Sequence, residues 1–170
     1  MSILGQMVLA ASLISGLLGI AIGIAGLQRD KPQLLKLSVM LALAVVCLLT
    51  LAEVVLLKAI LTDNRTLVYA ATYSSSELPL IYKCASLWAG QAGSLMFWTW
   101  ITSLYMVALL ISSKTQSLST AVRSMLVLLM ILCSFLAILV MLTSPFAASA
   151  KPIISGSGMN PLLQNPWMAI

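Results

Sequence analysis

Residues 3–27 read ILGQMVLAASLISGLLGIAIGIAGL, a run without one charged side chain. A helix needs roughly 20 predominantly apolar residues to cross the hydrocarbon core of a bilayer, and this run is long enough. Nothing basic precedes it, and Arg29 and Lys31 follow it. A cleaved signal peptide opens instead with a basic n-region before a shorter apolar core, so the run is read as a retained transmembrane helix. Within it Ser12, Gly16, Gly19, Gly23 and Gly26 recur at spacings of three and four. They fall on one helical face and let a second helix approach closely. That partner helix lies either in this chain or outside it.

Three more runs fit the same template. Residues 37–61 are apolar apart from Glu53 and Lys58, residues 94–111 begin among glycines, and residues 125–143 are uncharged and end at Ser144-Pro145. Backbone amides in lipid must be satisfied within their own segment, so these runs are expected as helices. Composition agrees: 61% of the chain is hydrophobic and 8% charged, against about a quarter charged in a globular domain. The reading is an all-α integral membrane protein, one domain over residues 1–170. Its architecture is a bundle of four transmembrane helices with an external interfacial segment before the third. Membrane lipid is its solvent. The net charge of +5 is scattered over loops, with no basic run to track a phosphate backbone, so nucleic acid is excluded as a partner.

Basic residues set the expected orientation. Arg29, Lys31 and Lys36 sit between the first two spans, and Lys114 and Arg123 between the last two. These form the cytoplasmic set under the positive-inside rule. Arg65, Lys83 and Lys151 are spread over the longer segments, and Lys58 lies at a helix end. Both termini are then external, as are segments 63–93 and 144–170, where a site would be built. The cysteines make neither a CxxC nor a zinc spacing. Cys47 and Cys133, inside spans, are expected as buried inert thiols, and Cys84 is external.

Glu53 is the one acid within a span, which by default makes it a possible intramembrane functional acid. The plainer reading is an interfacial residue about two turns from the outer end. Lys58 is five residues on, which is not a pairing spacing. The segment before the third span carries Tyr69, Tyr73, Tyr82, Trp88 and the run Leu78-Pro79-Leu80-Ile81, too apolar for a free loop. It is expected to lie along the membrane surface. An aromatic belt accounts for Trp98 and Trp100, but not for Gly90-Gln91-Ala92-Gly93-Ser94. If helical, Gln91, Ser94 and Trp98 share one face, and Gly90, Gly93 and Phe97 form a neighbouring strip. That strip is a small-residue notch beside an aromatic ring, suited to a flat apolar ligand or a second helix.

The stretch LPLIYKCASLWAGQAGSLMFW, residues 78–98, resembles the cytochrome c heme lyase family of CcmF/CcsA-type cytochrome c biogenesis proteins. That family carries LP-x-x-Y, then W-x-G-x-E-G-S-L, then a tryptophan before a transmembrane helix. Leu78, Pro79, Tyr82, Trp88, Gly90, Gly93, Ser94, Leu95 and Trp98 match. YAATYSSSELP is similar to the family's preceding segment, with Ala70 for its valine. After the fourth span, Asn160, Pro161, Leu162, Leu163, Gln164 and Pro166 match the family's N-P-L-L-Q-x-P. The resemblance covers essentially the whole chain.

What the resemblance implies is the N-terminal part, split or truncated, of a membrane heme lyase in the bacterial inner membrane. Such an enzyme attaches heme to the CxxCH cysteines of an apocytochrome c on the outer face. The implied heme-site wall or partner contact is Trp88, Gly90, Gln91, Gly93, Ser94, Trp98, Asn160, Pro161 and Gln164. Two departures matter. Ala92 stands at the family's acidic position, and the H-P-P stretch, the WWD region and the histidines that hold heme are missing. The chain has no histidine, and imidazole is the usual ligand of such iron. Heme is therefore the implied cofactor with its iron ligands elsewhere, and activity alone is not expected. The apolar end NPWMAI reads as if cut before a further span. Implied partners are a downstream polypeptide carrying the WWD region and histidines, a heme chaperone, apocytochrome c and thiol-handling biogenesis subunits. The rival reading is an accessory membrane assembly or transport subunit with no heme role.

Overall fold

The computed structural model describes residues 1–149, apart from the Lys114 side chain. In chain order the helices are α1 (Ser2–Gln28), α2 (Pro32–Leu61), α3 (Val68–Tyr73), α4 (Leu80–Ala85), α5 (Gln91–Ser112) and α6 (Leu118–Met141). A 3-10 turn, Ser86–Trp88, leads from α4 towards α5. Among the described residues, α1, α2, α5 and α6 alone are long and apolar enough to span a membrane.

These helices run past the apolar stretches that mark them. Pro32 opens α2 and takes Lys36 into the helix, because proline suits the first turn and a lysine stem can lie along apolar surface with its head in water. Ser117 opens α6, its hydroxyl accepting the Thr120 N–H at 3.3 Å, a capping bond that satisfies one otherwise orphaned donor. Arg123 thereby also becomes helical.

The small-residue face of α1 finds its partner inside the chain. Ser12, Gly16, Gly19, Gly23 and Gly26 are all buried, packed on α2 and α6. A Cβ at Gly16 would sit 2.6 Å from Cys133 Sγ, and one at Gly23 would sit 2.6 Å from Ser38 Oγ and 2.9 Å from Leu126. The backbones are close enough for Ser38 Oγ to donate to the Gly19 carbonyl at 2.7 Å. The shared interior is built from Leu49, Leu56, Met96, Met106, Leu129 and Leu136, all fully buried.

Outward faces are apolar too: Met7, Leu17, Met40, Val54 and Met130 are exposed, the pattern of a bundle solvated by lipid. Cys47 departs from expectation. It is exposed rather than buried, because it falls in the outward stripe of α2 with Met40, Leu43, Leu51 and Val54. Cys133 is buried, facing the Gly16 gap.

The helix ends sort into two levels. Ser2 Oγ donates to the Phe146 carbonyl at 2.6 Å, the Val68 N–H to Ala147 at 3.0 Å, and the Ser149 N–H to Thr66 at 3.0 Å. Phe146 is fully buried, its ring lying where a Cβ at Gly5 would otherwise stand. The chain start, the α2–α5 connection and residues 142–149 therefore share one end of the bundle. Connections 29–31 and 113–117 occupy the other.

Candidate functional site

The connection between α2 and α5 folds back on the bundle end, and Tyr69 is its pivot. Tyr69 is buried. Its hydroxyl lies 3.0 Å from the Ser86 carbonyl and 3.1 Å from the Leu87 carbonyl, and it accepts the Gly90 N–H at 3.0 Å. Gly90 is the N-cap of α5 and offers no side-chain cap of its own. Tyr69 thus satisfies one of the free donors that every helix start presents. Burial pushes this phenol well above its ordinary range; the Gly90 bond works against that, and the nearby Tyr73 and Glu53 reinforce it. The group stays neutral, as a hydrogen-bonding hub must.

The glycines make room for this arrangement. A Cβ at Gly93 would run into the Tyr69 hydroxyl and the Leu87 carbonyl, and one at Gly90 into the Tyr73 ring. The two tyrosine rings themselves pack at 4.7 Å. Of the two occupants the notch suits, the second helix is present: α3 fills it. Tyr69 is correspondingly not part of an exposed aromatic belt.

A second anchor lies at the end of α2. Asp63 follows the helix C-cap in the left-handed region, φ 48, a position usually left to glycine or asparagine. The Asn64 N–H reaches back to the Ala59 carbonyl at 2.9 Å and closes the helix. Lys83 Nζ of α4 bonds Asp63 Oδ2 at 2.5 Å, and Ser74 Oγ lies 2.7 Å from Oδ1. Partial burial pushes the Asp63 carboxyl up, but the bonds from Lys83 and Ser74 and the charges of Lys83 and Arg65 outweigh it and hold it below the usual range.

On the flank of this cap runs an aromatic ladder. Trp88 and Phe97 pack at 5.4 Å, Phe97 and Trp100 at 6.0 Å. Trp100 Nε1 donates to Thr50 Oγ1 on α2 at 3.0 Å, and Ser94 Oγ to the Trp88 carbonyl at 2.6 Å. Trp88 and Trp98 are 41% and 61% exposed. Gln91 is exposed, Ser94 half-buried, and Gly90 and Gly93 are buried beneath. The structure therefore gathers these six expected residues at one corner, but only Trp88, Gln91 and Trp98 offer much open surface. Asn160, Pro161 and Gln164 lie outside the described residues.

Glu53, on α2, faces the bundle interior and is 6% exposed. Neither carboxyl oxygen has a hydrogen-bond partner among the described residues, and Lys58 is on the exposed side of the helix. The described residues contain no group of three potential metal ligands, and histidine is absent from the sequence. The tyrosine-filled notch leaves no slot for a flat macrocycle. The described residues do not fit an iron site.

Tyr69, Asp63, Ser74 and Lys83 were missed as functional candidates from the sequence. One signal was available for Lys83: a lone cation in the otherwise apolar run 78–88 needs a partner when that run packs.

No protein-family model matches the chain. Two relatives come from Escherichia coli K12. Its cytochrome c-type biogenesis protein CcmF is 29% identical, over 91% of this chain and 25% of that protein. Its probable cytochrome c-type biogenesis protein NrfE is 30% identical, over 85% and 26%. The Haemophilus influenzae cytochrome c-type biogenesis protein NrfE is 28% identical, over 82% and 22%. A solved cytochrome c heme lyase CcmF shares the fold, with a TM-score of 0.82 at 24% identity, over 99% of this chain and 26% of that one. The chain thus spans about a quarter of the length of the relatives it matches. With motifs, membrane helices and fold in agreement, its homologues are the CcmF and NrfE cytochrome c-type biogenesis proteins, of which it matches one part.

Proposed function

We propose that this chain is the N-terminal part of a membrane cytochrome c heme lyase, and that its folded cap supplies one wall of the site where heme is joined to apocytochrome c. The observation that carries this reading is the match of nearly the whole chain to about a quarter of CcmF and NrfE proteins, in a sequence without histidine. The histidines and the WWD region come from the remaining length of the lyase. Heme is substrate here, delivered by a heme chaperone, while thiol-handling subunits present the apocytochrome cysteines. The cap lies on the outer face of the bacterial inner membrane, with both termini external.

The part played by this chain's own residues is positioning. Holding two reactants in register removes much of the entropic barrier to their joining. Trp88 offers apolar aromatic surface at the site's edge, with Gln91 as the exposed hydrogen-bonding group beside it, and Trp98 carries that surface down α5 towards the membrane interior. Gly90 and Gly93 shape the wall from behind by admitting Tyr69 and Tyr73. Ala92 leaves it uncharged where the family carries an acid. The family motif adds Asn160, Pro161 and Gln164, which lie outside the described residues.

Heme titration of the purified chain, alone and together with the downstream polypeptide, tests the reading. The pair is expected to give a Soret band that the chain alone does not. Replacing Trp88 and Trp98 by alanine should weaken heme affinity by roughly 2- to 10-fold, the worth of an aromatic contact. A pair whose Soret band ignores both substitutions removes the cap from the site.

A further inference from the structure

The outward faces of the four spans are not alike. Between Met7 and Ile24 on α1 and between Leu37 and Val54 on α2 the exposed positions are aliphatic or thiol, among them Leu17, Leu18 and Ile24, then Met40, Cys47 and Val54. On α5 a different series runs down one side, Gln91, Ser94, Trp98, Thr102, Tyr105 and Ser112, of which Ser94 and Thr102 are half-buried, while Leu104, Ala108 and Ile111 are exposed beside it. From Trp98 the spacings are four, three and seven, which keeps these positions on one face of a helix. Trp98 and Tyr105 are 61% and 67% exposed.

Depth makes this face costly in lipid. At 1.5 Å per residue, Trp98 is roughly 10 Å below the outer end of α5. Tyr105 is roughly 10 Å above its inner end. Aromatic belts sit at the headgroup level, whereas these two are well inside a hydrocarbon core about 30 Å thick. The Thr102 hydroxyl is spent on the Trp98 carbonyl at 2.8 Å. The Trp98 indole N–H and the Tyr105 hydroxyl have no hydrogen-bond partner among the described residues. Unpartnered donors at that depth cost free energy, and hydroxyl, amide and indole groups at such positions are what joins one membrane helix to another.

We propose that this face of α5 is the seam on which the chain meets the rest of its lyase. Its occupant is an apolar transmembrane helix, from the part of the protein this chain does not cover, that offers acceptors to Trp98 and Tyr105. The inference rests on the proposed function in one respect: about three quarters of the relatives' length lies outside this chain and must assemble with it. The heptad-like spacing suits a helix crossing at a shallow angle, and the α1 and α2 faces are left to lipid.

Photo-cross-linking in native membranes tests it. Benzoyl-phenylalanine is placed singly at Trp98, Tyr105, Leu17 and Met40 in otherwise intact protein, and adducts are read by peptide mass spectrometry. Positions 98 and 105 are expected to join peptides of the histidine-bearing region, with only lipid adducts at 17 and 40. Lipid adducts alone at 98 and 105, a second copy of this chain joined there, or the histidine-bearing region joined at 17 or 40 instead would each overturn the seam. A seam adduct alongside a heme titration without a Soret band would remove the lyase reading and leave the seam standing.

Discussion

One phenol organises the cap. The Tyr69 hydroxyl is a single group asked to serve a helix-start N–H and two carbonyls. Removing one partner from a buried hydrogen bond costs the desolvation of what remains, about 1–3 kcal/mol. Tyr69→Phe leaves the ring in place against Tyr73 but strands the Gly90 N–H. We expect it to lower the stability of the detergent-purified protein by that amount, with tryptophan fluorescence reporting early loosening around Trp88. Tyr73→Phe, whose hydroxyl makes no hydrogen bond among the described residues, should stay within about 0.5 kcal/mol of the parent. Equal melting of both variants and the parent would show that the hydroxyl is not the pivot. This role was hard to read in the sequence. An aromatic residue before a span looks like any belt residue, and its partners at Ser86, Leu87 and Gly90 are some twenty residues away with no periodicity linking them. The glycines were legible as a close-contact site, because small residues at three-residue spacing have few other uses. The occupant was not, because a notch and the side chain that fills it carry no shared signature.

Among the elements, α1 depends most on its small residues. Gly16→Leu would drive a side chain into Cys133 Sγ, 2.6 Å from where its Cβ must stand. Overpacking a tight interface costs about 1–3 kcal/mol, and the residue faces two helices that cannot both retreat. Ala21→Leu, on the exposed side of the same helix, adds the same apolar bulk towards lipid. Resistance to unfolding by SDS, followed by circular dichroism, should fall for the first and not for the second. An equal response would mean that α1 is held by hydropathy alone. The spans were readable because lipid imposes length and apolarity on any helix that crosses it. Their ends were less so: Lys36 and Arg123 look like loop charges, yet both are helical. The true boundaries lie at Pro32 and Ser117, local capping signals that count for more than charge. Asp63 and Lys83 illustrate the remaining gap, since an ion pair across twenty residues of irregular chain exists only once α4 has docked.

For the molecule as a whole, the sorting of helix ends fixes relative sidedness, and charge predicts the absolute. Arg29, Lys31, Lys36, Lys114 and Arg123 gather at the end holding the two short connections, against Lys58, Arg65 and Lys83 at the cap end among the described residues. Lys83 is already spent on Asp63, so it contributes little free charge to the cap end. Short loops close to the spans are the ones that count under the positive-inside rule, and 29–31 and 113–117 are both short. A cytoplasm-active reporter inserted at 115–116 is therefore expected to be active, and a periplasm-active reporter fused after Ser149 is expected to be active as well. Replacing Arg29, Lys31 and Lys36 by glutamine together should weaken or invert that pattern, because they are the first basic cluster the chain presents beside a span. The substitution of Lys83 alone should leave it unchanged, even though it removes a basic residue from the opposite end. Reporters at 115–116 and after Ser149 that respond on the same side would break the four-span path itself. Reporters that exchange sides would leave the bundle intact but move the cap, with Trp88 and Trp98, to the face where no apocytochrome is expected to meet it.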